Sequence, residues 1–393
     1  MKHKTLSVLL GLFLFAPDVM SQSQVNGQRQ STHFPQYERA ILLETTSERS
    51  ANAAFGDLNG DGNLDIVLAK GRHWPLVNRV LLGDGTGGIL LAYDLAKVAN
   101  RSYSGQLADM DGDGDLDVVV SNDRPDPNLV YINDGEGKFA AGSEFGRAEW
   151  PTRNASVGDV NGDGFPDIIV ANRSRDSTIA NYLCINNGDG TFEADCMTIA
   201  AYPATTITAA DFNNDGLLDL AVPHRNGGQS YVLIQTTSDG LRFRQVPFGP
   251  TTAAVRMAQA GDFDNDGRMD IVTIDTRRGV IIHFQKEVDI FSAGKFIGNQ
   301  DVRPYALAVG DLNLDGAIDI IVGNVEAPSV IHFNDEDGKD FIAKTFGDGR
   351  GTVYGFDIGD FNKDGQPDIA AARSGAENIV YLGDNPGQHQ NNQ

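Results

Sequence analysis

The stretch DMDGDGDLD, residues 109–117, sets five aspartates at alternate positions of nine residues and separates them mostly with glycine. At about 4 Å a like-charge pair costs roughly 1 kcal/mol in water and several times more near a protein surface. The fold must therefore offset the repulsion, and how it does so decides the reading of the whole chain.

The stretch recurs. DLNGDGNLD begins at 57, DVNGDGFPD at 159, DFNNDGLLD at 211, DFDNDGRMD at 262, DLNLDGAID at 311 and DFNKDGQPD at 360, so successive starts lie 52, 50, 52, 51, 49 and 49 residues apart. An even period over most of a chain marks a repeat architecture. Each copy follows a short small or apolar segment (NASVG, LAVG) and precedes a β-rich run (DIIVAN, DVVVSN, DIIVGN). A third alternating run (NLVYIN, NYLCIN, SVIHFN), a Gly/Asp turn (NDGEGKF, NNGDGTF) and a variable segment complete the unit. This pattern predicts four strands per unit, with turn residues where hairpins need them. Seven such units predict an all-β chain, a seven-bladed β-propeller of four-stranded blades. The last copy ends at NIVYLGDNPG without a fourth strand, and HFPQYERAILLE (residues 33–44) resembles the fourth strands of the other units. The N-terminal strand is therefore expected to complete the last blade and remove an open edge.

Residues 33–385 make up this domain. MKHK, the apolar run TLSVLLGLFLFA and PDVMSQS match the three regions of a secretory signal over residues 1–21, with cleavage expected after Ser21. Residues 22–32 and 386–393 read as disordered flanks, and no later segment is apolar and long enough to span a bilayer. The protein is expected to be secreted, periplasmic or on the cell surface. Its 31 basic and 54 acidic residues give a net charge of −23, which disfavours nucleic acid and anionic membranes and favours cations. Two cysteines, Cys184 and Cys196, flank NNGDGTF. They are either a cross-strand disulfide or two unpaired thiols.

Aligned on one another, the seven copies carry Asp at positions 1, 5 and 9, Asn or Asp at position 3 and Gly at position 6. Position 7 has no shared chemistry, as expected of a residue that offers only its backbone oxygen. Calcium takes six to eight such oxygens, and glycine permits the sharp turn. The candidate ligands, with the position 7 residue fourth in each set, are Asp57, Asn59, Asp61, Asn63 and Asp65; Asp109, Asp111, Asp113, Asp115 and Asp117; Asp159, Asn161, Asp163, Phe165 and Asp167; Asp211, Asn213, Asp215, Leu217 and Asp219. The remaining sets are Asp262, Asp264, Asp266, Arg268 and Asp270; Asp311, Asn313, Asp315, Ala317 and Asp319; Asp360, Asn362, Asp364, Gln366 and Asp368. An EF-hand would need Glu at position 12, where Leu68, Val120, Val170, Val222, Thr273, Val322 and Ala371 stand. Magnesium prefers octahedral sites that keep water, so calcium is the better match, at about seven structural sites.

Motif and setting resemble the FG-GAP and VCBS repeats, the family that includes the propeller of integrin α-subunits and many exported bacterial proteins. The resemblance covers roughly residues 33–385. It implies a calcium ion in the loop joining the innermost strand of each blade to the second.

The opposite rim should be formed by the loops after the second strands and the segments entering the first strands. The former hold Arg72, His73, Trp74, Arg124, Arg173, Arg175, His224, Arg225, Arg277, Arg278 and Arg373; the latter hold Arg49, Arg101, Tyr103, Trp150, Arg153, Tyr202, Arg256, Arg303, Tyr305 and Tyr354. Thirteen of 21 arginines and both tryptophans fall here, giving an acidic protein one basic, aromatic face. Arginine pairs with carboxylate and sulfate groups and aromatic rings stack on sugars, so the expected partner is an acidic polysaccharide or an extracellular protein. A binding or adhesion module is the first reading. A polysaccharide lyase or hydrolase is the alternative, with His73, His224, Tyr103 and Tyr305 as available bases. No G-x-S-x-G, H-E-x-x-H or P-loop signature is present.

Overall fold

A computed structural model describes residues 34–174, 179–193, 195–237, 241–335 and 337–384. The expected signal segment, both disordered flanks and Arg175 lie outside these residues. Among the described residues there is no helix.

The second unit shows the common plan. Ser102–Ala108, Asp117–Asn122, Asn128–Asn133 and Phe139–Phe145 pair antiparallel in chain order, with Ala108 opposite Asp117 across the aspartate loop. Five units form separate four-stranded sheets of this kind. The first unit (Glu48–Gly56, Asp65–Lys70, Arg79–Gly83, Ile89–Asp94) and the last (Thr352–Gly359, Asp368–Ala376, Ile379–Asp384) share one larger sheet, bridged by Glu48 and Arg49 opposite Ala376 and Ser374. The fourth strand beside Ile379–Asp384 is Gln36–Leu42, with Ile41 opposite Val380. The fifth unit inserts a small hairpin, Gln285–Glu287 with Ile290–Phe291, before its fourth strand Lys295–Ile297.

Burial explains the strand order. The second strands of the first six units, among them DVVVSN and DIIVAN, are buried throughout, as apolar runs covered on both faces must be. Fourth strands such as FAAGSEF face solvent along most of their length. First strands are rich in Ala and Gly, and each touches the first strand of the next unit, the last touching that of the first unit. The apolar clusters lie between sheets. Leu68, Leu81 and Ala53 of the first unit pack with Ala370, Val380 and Phe361 of the last, and Val119, Val130 and Ala155 join the second unit to the third.

A polar staple accompanies them. A residue near the end of the third strand or just past it, Asn133, Asn186, Gln235, Gln285 or Asn334, donates its side-chain amide at 2.8–3.0 Å to the backbone oxygen of loop position 2 in the preceding unit. Glycines, Gly83 and Gly383, hold this place in the first and last units. The seam between those two units instead carries Lys70, almost wholly buried and paired with Glu44 and Glu48. Asn378 donates to Glu44 at 2.6 Å and to Ser50 at 2.8 Å beside it. Cys184 and Cys196 are joined by a disulfide across the third unit's outer hairpin.

Candidate metal loops and an arginine–tyrosine cluster

The aspartate loops share one hydrogen-bond scheme. In all seven, the N–H of position 6 donates to the position 1 carboxylate at 2.8–3.0 Å, and that of position 7 to the position 5 carboxylate at 2.8–3.1 Å. The position 6 glycine takes φ of 81–100°, a conformation that side chains resist. Position 9 does more than the sequence suggests. Each of Asp65, Asp117, Asp167, Asp219, Asp270, Asp319 and Asp368 is fully buried. One oxygen accepts the N–H of loop position 2 and the other the N–H at the end of the third strand, as Asp117 does with Met110 and Asn133. Burial pushes these carboxyls up, to about 6 in Asp117 and about 7 in Asp270, and the other loop aspartates push the same way.

The donor set fits a hard cation. Carboxylate oxygens of Asp109, Asp111 and Asp113, and of Asp262, Asp264 and Asp270, gather within 4.8 Å of one another, and buried oxygens of Asp57 and Asp264 have no hydrogen-bond partner. Both clusters belong to the loops with Asp at position 3. In the other five the position 3 Asn donates to the position 5 carboxylate at 2.8–3.1 Å. Compensation differs between the two clusters. Arg268 pairs with Asp266 and Lys286 with Asp264, whereas no ion pair relieves residues 109–117 among the described residues.

At the far end of the first strands, Tyr103, Arg153, Arg256, Tyr305 and Tyr354 occupy the same place in their units, six residues before the first loop aspartate. The structure draws them together. Arg256 Cζ lies 3.2 Å from the Tyr305 ring centroid, Arg72 Cζ 3.6 Å from that of Tyr354 and Arg153 Cζ 4.4 Å from that of Tyr103. Tyr305 Oη donates to Tyr354 Oη at 2.9 Å. Burial lowers Arg256 to about 10 and also lowers Arg225, with Arg173 adding repulsion to both. Burial pushes the Tyr305 phenol up, but Arg256, the bond with Tyr354 and the charges of Arg72 and Arg173 outweigh it and hold it below its ordinary value. Among the described residues, Arg72, Arg173, Arg225 and Arg256 form no ion pair with a carboxylate.

Other expected face residues are engaged elsewhere. Arg373 is 1% exposed and pairs with Asp348, so the fold spends it inside the last unit. Arg101 grips Asp126 with its guanidinium at 3.0 Å, and Arg277 donates to the Thr252 backbone oxygen at 3.1 Å. His224 stacks on Tyr202 at 4.9 Å, and Trp150 stacks on Tyr182 at 4.0 Å beside the disulfide. Trp74 is half exposed under Arg49, and Arg124, Arg278 and Arg303 are exposed. Asp123, absent from the sequence-based set, accepts from both His73 and Arg153. The position-by-position alignment of the first strands was the signal for the cluster itself.

The architecture is that of a β-propeller. BBS1N in complex with ARL6DN superposes with a TM-score of 0.61 at 11% identity, covering 89% of this chain and 97% of that one. The Dos1 propeller and YCF48 bound to D1 peptide each give 0.55 at 10% identity, covering 90% and 89% of this chain and 97% and 96% of theirs. FG-GAP-like repeats match residues 57–120, 109–170, 159–222, 262–322 and 311–371, well over half of the chain. The protein belongs to the FG-GAP-like repeat family. Cartilage acidic protein 1 is 34% identical over 98 residues in Homo sapiens and 33% over 98 in Mus musculus, spanning 23% of this chain. The match spans 15% of the length of these relatives.

Proposed function

We propose that this protein is an exported seven-bladed β-propeller, held rigid by calcium in its acidic loops, that binds an acidic polysaccharide on the arginine–tyrosine end. The observation that carries the binding reading is the pair Arg72 and Arg256, each seated on a tyrosine ring and without a carboxylate partner among the described residues. Arg72, partly exposed, stays available to an outside anion and the buried Arg256 adds its charge beneath the same end, whereas Arg101 sits against Asp126. The acidic patch of an extracellular protein offers the same chemistry, and two of the fold's neighbours carry a protein or peptide partner.

Seven blades are supported by seven loops at an even period and by contact between the first strands of the first and last units. The pairing of Gln36–Leu42 with Ile379–Asp384 supports closure. In each loop, positions 1, 3, 5 and 9 and the backbone oxygen of position 7 would hold calcium, which supplies charge neutralisation. A disulfide supports an oxidising compartment.

The test is retention on immobilised polygalacturonate and heparin against neutral dextran. Retention on the acidic polymers, released by salt, is expected. Equal retention on dextran, or none on any polymer, overturns the binding reading.

A further inference from the structure

One group at the arginine–tyrosine end is wired unlike its neighbours. Tyr103 Oη stands 3.0 Å from His73 Nε2 and 3.3 Å from its Nδ1, and Nδ1 stands 3.1 Å from Asp123 Oδ2. Asp123 Oδ1 takes Arg153 at 2.7 Å, and that guanidinium returns over the Tyr103 ring. The circuit joins three successive units, because His73 follows the second strand of the first, Tyr103 and Asp123 belong to the second and Arg153 opens the third.

Hydrogen-bond bookkeeping fixes the roles. A carboxylate at Nδ1 keeps the proton on that nitrogen and leaves Nε2 as the acceptor for the phenol. Asp123 is itself anchored by Arg153, so the imidazole is held in one orientation. Burial and then Arg153 lower the His73 pKa, leaving the ring neutral and able to accept near neutral pH. The His73 side chain is 50% exposed, so the circuit is open to a molecule from outside.

We propose that Tyr103, His73 and Asp123 form a proton relay that cleaves a uronate polymer by β-elimination, with Arg72 holding the uronate carboxylate. The inference rests on the reading of this end as an acidic-polymer site. Arg72 donates its backbone N–H at 3.1 Å to the oxygen of Ser102, the residue before Tyr103, and its guanidinium has no carboxylate partner among the described residues. Neutralising the carboxylate makes the neighbouring C5 hydrogen acidic. The Tyr103 proton passes to His73 Nε2 and the phenolate takes the C5 hydrogen. The C4–O4 bond then breaks with its electron pair on O4, and a C4=C5 double bond forms. Tyr103 delivers the abstracted proton to O4, and His73 returns its own to Tyr103. No oxidant or water is consumed. Tyr103 is the catalytic residue, and His73 and Asp123 are positioning residues that act through it.

The experiment incubates the full chain with polygalacturonate, alginate and heparin and follows the ultraviolet absorbance of the conjugated product. Turnover by the wild type is expected. Tyr103→Phe should lower kcat by about 10²-fold or more with KM unchanged, the usual scale of acid–base assistance. His73→Ala should lose turnover and regain part of it with free imidazole, which a merely structural histidine would not allow. Polymer retained without conjugated product overturns the relay and leaves the binding reading intact. Full turnover by Tyr103→Phe also overturns the relay, and failure of every polymer to bind overturns both.

Discussion

The Arg256 guanidinium lies over the Tyr305 ring, its Cζ 3.2 Å from the centroid, and its Nε donates to that residue's backbone oxygen at 2.8 Å. A nearly buried cation thus rests on a π-face and a carbonyl in place of a carboxylate, an arrangement that stabilises it only in part. Arg256→Met keeps the volume and removes the desolvated charge. It should weaken binding to acidic polymer about tenfold or more, the worth of one charge-assisted hydrogen bond, while the melting temperature holds or rises. Affinity measured by salt-dependent retention, alongside thermal unfolding, checks this. A lower melting temperature with unchanged affinity would assign Arg256 to the fold alone.

Chelation should destabilise the molecule strongly. With a dissociation constant near 0.1 mM and roughly 1 mM calcium, each loop contributes about 1.4 kcal/mol, so the sum over the loops rivals the stability of an ordinary domain. The loop at residues 109–117, with Asp at position 3 and no ion pair of its own, should bind most tightly. Asp111→Asn should therefore cost more calcium affinity than the same change at Asp264, where Lys286 already stands. Calorimetric titration of the two variants decides it, and a melting curve indifferent to chelator sinks the calcium account.

His332 is 4% exposed, and burial lowers its pKa from 6.5 to about 4. The folded state binds this proton less readily than the unfolded chain, so the stabilising contribution is complete above pH 6.5 and is lost as pH falls toward 4. The full loss is about 3 kcal/mol. Comparison with His332→Gln isolates it, since the wild type should lose ground to the variant through that window in denaturant titrations. A constant difference between the two would contradict the assignment.

Lys70→Met should destabilise by about 3 kcal/mol, because it strands Glu44 in a largely buried place. Adding Glu44→Gln should recover part of the loss. Denaturant midpoints measure both, and a single variant as stable as the wild type would show the pair to be dispensable.

Much of this molecule is written in the period of its loops. Alternating runs and Gly/Asp turns locate the strands, and three carboxylates gather in each of the two loops that carry Asp at position 3. Position 4 of the loop, for which the sequence offered no reading, is constrained. It takes positive φ in every loop, at Gly60, Gly112, Gly162, Asn214, Asn265, Leu314 and Lys363. The three glycines and two asparagines there carried the signal, which Leu314 and Lys363 obscured. The staples from Asn133 and its equivalents were hidden for another reason. Asparagine before Gly/Asp reads as turn chemistry, and only the neighbouring sheet reveals its second bond.

The arginine–tyrosine end was half legible. Composition singled out the segments that carry these residues but could not separate Arg256, which faces the tyrosines, from Arg373, which is consumed by Asp348. That choice depends on which side of a strand each residue leaves, and on acids distant in sequence. Asp123 escaped notice because aspartate near a strand end is ordinary in so acidic a chain.

The pairing of Gln36–Leu42 with Ile379–Asp384 has a consequence for how the chain matures. The strand Gln36–Leu42 has no partner until Ile379–Asp384 has been made, so this sheet cannot close before every unit between the two strands has been synthesised.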